Sequence, residues 1–69
     1  MSPEQRFIYA VLMQLHQRKC GAAAVKTREV APRAHYSVRM VQYHLARLED
    51  CGLVARRGSR GGWVPVMAI

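Results

Sequence analysis

Arg39, Gln42, Tyr43 and Arg47 follow one another at spacings of three, one and four residues, so a helix carries them on one face. Their chemistry is recognition. Two guanidiniums donate in a fixed planar fork, an amide both donates and accepts, and an aromatic ring offers an apolar surface with a hydroxyl at its tip. Arg56, Arg57 and Arg60 add cations further along the chain, and Thr27 and Arg28 stand at the start of an earlier predicted helix. Bond-making chemistry has no comparable set. The four acids are spread without a paired-carboxylate arrangement, and no Ser-His-Asp or Cys-His set has a pocket at 69 residues, so no catalytic site is expected. Cys20 and Cys51, with three scattered histidines, do not make a zinc site; they are expected to be small, half-buried apolar residues, with no metal and no cofactor.

The recognition face needs a helix to display it. Ser37 can cap one by accepting from backbone N–H groups, and Gly52 can end it in the left-handed conformation, which predicts a helix over 37–51. Val38, Val41, Leu45 and Leu48 form its core stripe, with His44 packed beside Leu45 and Leu48. Upstream, Ser2-Pro3-Glu4-Gln5 reads as a helix start, Phe7, Ile8, Val11, Leu12 and Leu15 as its apolar face, and Gly21 as its close. Ala22 to Val25 is a connector with room for one brief strand. Thr27 then caps a second helix that Pro32 is expected to shorten or distort, and His35 is the candidate for a positive-φ turn.

Downstream, residues 53–57 read as a strand, Gly58-Ser59-Arg60-Gly61 as a turn, and residues 62–66 as the return. Pro65 places the returning strand at a sheet edge or ends it there, and Trp63 is expected to anchor the hairpin on the core. The tail Val66-Met67-Ala68-Ile69 is apolar to its last residue. It is expected to fold back on the first helix or to meet a partner chain.

Eleven Lys and Arg against four Asp and Glu give a net charge of +7, while 51% of residues are hydrophobic, which describes a basic globular domain. Residues 26–60 hold eight cations and three acids, net +5, against net +2 over residues 1–25. A polyanion is the natural partner of that half. Nucleic acid ranks ahead of a membrane, because no segment is a basic amphipathic helix with a bulky apolar side. Neither a signal peptide nor a membrane-length apolar run is read, so a reducing cytoplasm is expected.

Met40 to Val54, reading MVQYHLARLEDCGLV, resembles the third helix and exit of winged helix-turn-helix domains, and Lys26 to Ala31 resembles the start of their second helix. With the Gly58 to Gly61 turn, most of the chain is similar to the N-terminal domain of LexA-type repressors. It departs from them at Pro32, where a helix former is usual, and at His35, where Gly is usual. The resemblance implies an α+β, mostly α fold: one domain over 1–69 with three helices and a two-stranded β-hairpin wing. It also implies a sequence-specific reader of double-stranded DNA, a transcriptional regulator. Base-edge contacts would come from Ser37, Arg39, Met40, Gln42 and Tyr43, phosphate contacts from Thr27, Arg28 and Arg47, and wing contacts over 56–62 from Arg56, Arg57 and Arg60.

Pairing of two chains through helix one and the tail 63–69 would give such a reader two half-sites. The alternative is a winged helix used as a protein-binding module that docks through the apolar tail. Single-stranded or RNA binding is weaker, since Tyr36, Tyr43 and Trp63 have no sheet platform to display them.

Overall fold

In the computed structural model, residues 2–18, 24–57 and 62–66 are described. Among them run α1 (Pro3–Arg18), β1 (Val25–Lys26), α2 (Thr27–Ala34), α3 (Val38–Asp50), β2 (Val54–Arg57) and β3 (Gly62–Pro65). The fold is α+β and mostly helical, with one antiparallel sheet in the order β1-β3-β2. Among the described residues no helix is long and apolar enough to cross a membrane.

Local chemistry starts α1 as the sequence predicts: the Gln5 N–H donates to Ser2 Oγ at 3.2 Å, and Pro3 occupies the first helical position. Ile8, Val11, Leu12 and Leu15 are buried. Phe7 is not, at 46% exposed; it lies about a quarter-turn from the centre of that stripe and meets the Tyr36 ring edge-on instead. The expected close at Gly21 lies outside the described residues.

One expectation about α2 is corrected. Its cap is Lys26, not Thr27: Lys26 is extended and its N–H donates to Glu29 Oε2 at 2.8 Å, while Thr27 is already helical. The helix is short, as expected, with eight residues that end two positions beyond Pro32. Only the ladder bond to the Arg28 carbonyl is forgone there, and both residues are exposed to solvent. His35 ends α2 in the left-handed region at φ 60, as expected, and the Tyr36 N–H donates back to the Ala31 carbonyl at 3.3 Å.

Ser37 caps α3 through a bond from the Met40 N–H to its Oγ at 3.2 Å. The exit is a Schellman turn: Leu53 N–H donates to the Leu48 carbonyl, Gly52 N–H to that of Glu49, and Gly52 takes φ +79. That turn leads straight into β2. Val41, Leu45 and Leu48 face the core, but Val38 is 44% exposed and the fourth buried position belongs to His44. Val38 lies about 20° around the axis beyond Leu45, at the edge of the stripe, in the first turn of the helix.

The sheet has three strands where a two-stranded hairpin is predicted. Val25 pairs with Trp63 and Lys26 with Gly62, so β3 is flanked on both sides over its first two residues and is not an edge strand. Pro65 fits because the Val66 N–H donates to the Leu53 carbonyl at 2.9 Å, which makes the neighbouring Val54 and Pro65 a non-hydrogen-bonded pair. Its donorless nitrogen therefore points away from β2. Close approach of β1 requires Gly62: a Cβ there would stand 2.5 Å from Ala24 Cβ. The core joins the buried faces of α1 and α3 to Val25, Val30, Ala31, Ala34, Val54 and Trp63.

Candidate nucleic-acid interface

Burial of Val41, His44, Leu45 and Leu48 turns the other side of α3 to solvent, where Arg39, Met40, Gln42, Tyr43 and Arg47 are all exposed. Tyr43 is 56% exposed yet its ring has neighbours. The Arg47 guanidinium lies 5.7 Å from its centroid and the His44 ring meets it edge-on at 5.3 Å. Ser37 is exposed at the head of this face, and its hydroxyl keeps a proton to donate while accepting from Met40.

Charge along α3 is polarised. Its first turn contains no acid, unlike those of α1 and α2, which hold Glu4 and Glu29. The usual carboxylate that complements a helix N-terminus is missing, and Arg39 stands in that turn instead. Glu49 and Asp50 sit at the opposite end, where Glu49 Oε1 lies 3.4 Å from Arg56 Nε. Arg28, Arg39, Arg47 and Arg57 are exposed and have no ion pair among the described residues.

Thr27 leaves the set of surface candidates. It is 7% exposed, and its Oγ1 accepts from Trp63 Nε1–H at 3.0 Å, so the side chain fastens α2 to β3. The anchoring role expected of Trp63 is observed, at 3% exposed. Residues 63–65 are thereby poorly suited to pairing: Trp63 and Pro65 are buried, Val64 is half-buried, and only Val66 is exposed.

Arg56 and Arg57 of β2 are unlike each other. Arg56 lies opposite Trp63 in the sheet, with its guanidinium 4.9 Å from the Trp63 ring centroid and its Nε on Glu49. It ties β2 to α3. Arg57, one residue on, belongs to the other face of the sheet, is exposed and has no ion pair among the described residues. A signal for this was present, since Arg56 shares a strand face with Val54. Nothing local could have revealed the Thr27–Trp63 bond. Arg60 and the turn 58–61 lie outside the described residues, as do Cys20 and the tail 67–69.

His44 Nδ1 and His16 Nδ1 are buried without hydrogen-bond partners among the described residues. Among the described residues no three His, Cys, Asp or Glu side chains are grouped to hold a metal. Cys51 is a free thiol and is exposed, correcting the half-buried expectation, because it follows α3 at the turn into β2.

Fold and site together define a small basic α+β domain with a cationic, solvent-facing helix. Compared with protein-family models, curated proteins and solved structures, the chain matches none of them.

Proposed function

We propose that this protein is a winged helix-turn-helix reader of double-stranded DNA and acts as a transcriptional regulator. In this reading α2 and α3 are the helix-turn-helix, the β2–β3 hairpin is the wing, and α3 enters the major groove with its N-terminal half toward the bases. The observation that carries it is the head of α3: no acid in the first turn, Arg39 in its place, and Gln42, Tyr43 and Arg47 exposed behind it. An N-terminus left positive on a helix that also presents guanidiniums suits a phosphate-lined groove. Arg39 fits the two major-groove acceptors of guanine and Gln42 the donor and acceptor of adenine. Arg28, Arg47 and Arg57 serve as phosphate contacts, joined by Arg60 on the wing.

A homodimer on two half-sites and a cytoplasmic, nucleoid-associated location belong to the same reading. Its pairing surface is the outer side of α1 around Phe7, together with Val66. A second reading is a winged helix that docks a protein partner through the apolar tail, of which Val66 is exposed.

Titration of a labelled random-sequence duplex from low to moderate salt tests the proposal. Binding that falls steeply with salt, and is lost in the Arg39→Ala/Arg47→Ala double variant, is the expected result. An intact protein that binds no duplex at low salt refutes it in favour of a protein partner.

A further inference from the structure

Bulky apolar side chains left in water on a cationic helix need a reason. Of the large hydrophobic residues exposed among those described, Val38, Met40 and Tyr43 lie on α3, the latter two at 42% and 56% exposed. Met40 and Tyr43 are three residues apart and adjacent on the helix surface, while Val38 lies nearly opposite Met40 around the axis. Neither contributes to the core. Tyr43 nevertheless has neighbours for its ring, the Arg47 guanidinium 5.7 Å from its centroid and the His44 ring edge-on at 5.3 Å. The pair forms an apolar step beside Arg39 and Gln42.

We infer that Met40 and Tyr43 together read the C5 methyl group of a pyrimidine, that of thymine or of 5-methylcytosine. The inference rests on the DNA-binding reading and names what that face selects. The major groove displays polar base edges throughout, and its apolar feature is the methyl at pyrimidine C5. A thioether or ring face set against a polar edge would strip water from it and return no hydrogen bond. Against a methyl, the same surfaces lose only apolar hydration. Flanking donors at Arg39 and Gln42 would read the purines of neighbouring pairs, so the face would favour methyl-bearing steps set among them.

The test uses the intact chain and four labelled duplexes: alternating dA-dT against alternating dA-dU, and alternating dG-dC against alternating dG-5-methyl-dC, at one low salt concentration. Each pair differs by the methyl alone on the major-groove edge. The methylated member is expected to bind more tightly, by about fourfold for each methyl buried. In Met40→Ala/Tyr43→Ala, whose circular dichroism confirms folding, the ratio is expected to fall toward one. A preference in both pairs supports the inference for the methyl from either source, and a preference in one pair supports it for that source alone. Equal affinity within both pairs overturns it while duplex binding itself survives, and so does a ratio unchanged in the double variant. Failure to bind all four duplexes overturns the DNA reading and this inference with it.

Discussion

Thr27 and Ser37 bring the same hydroxyl to the starts of α2 and α3 and end in opposite settings. Thr27 is buried and accepts from Trp63, 36 positions away; Ser37 is exposed and accepts from the Met40 N–H, three positions away. One start is fastened to the sheet, and the other is finished locally and left facing solvent. The contrast extends to charge, since α2 carries Glu29 in its first turn and α3 carries none. A domain this small can present one uncommitted helix end because the neighbouring end is tied down.

Breaking the fastened end has the largest expected effect. Trp63→Ala removes a side chain that is 3% exposed together with its bond to Thr27, at a cost of about 3–5 kcal/mol. A chain of 69 residues has roughly 3–10 kcal/mol in total, so loss of the cooperative thermal transition by circular dichroism is expected. A transition that survives near its original midpoint would show that the anchor is dispensable. Thr27→Val keeps the volume but leaves the Trp63 N–H without its acceptor, which costs about 1–3 kcal/mol. Urea denaturation followed by the single Trp fluorophore should show a lower midpoint with Val and near-recovery with Thr27→Ser.

Breaking the local end costs less. Ser37→Ala loses one cap at about 1 kcal/mol, and the fall in urea midpoint should be smaller than for Thr27→Val. If Ser37 proves the costlier, the division between the two ends is wrong. Strand β2 sharpens the same contrast at the smallest scale. Arg56→Ala gives up an exposed ion pair and a cation–π contact, no more than about 1 kcal/mol, whereas Arg57→Ala should leave stability within about 0.5 kcal/mol. In duplex binding the order reverses: Arg57→Ala should lower the salt slope by about one, and Arg56→Ala by less.

How much was legible follows the range of each interaction. The Ser2 and Ser37 caps, the His35 and Gly52 turns and the order helix, brief strand, helix, helix, hairpin were readable, because each depends on residues within a few positions. The outward face of α3 was readable by period, since buried Val41, Leu45 and Leu48 leave Arg39, Gln42, Tyr43 and Arg47 on the other side. Val38 and Phe7 stand exposed at the borders of their stripes, where periodicity does not separate the last core position from the first exposed one.

By itself, then, the sequence determined the elements, the cationic surplus and which side of α3 meets solvent, all of which follow from local spacing and composition. Tertiary structure alone decided that β1 reaches β3 beside Gly62, that Trp63 draws Thr27 inward, and that Arg56 meets Glu49 while Arg57 has no ion pair among the described residues. Those outcomes depend on partners brought together only when α1, α3 and the sheet close on a shared core, and no pattern within one segment encodes which of two like residues finds its partner there.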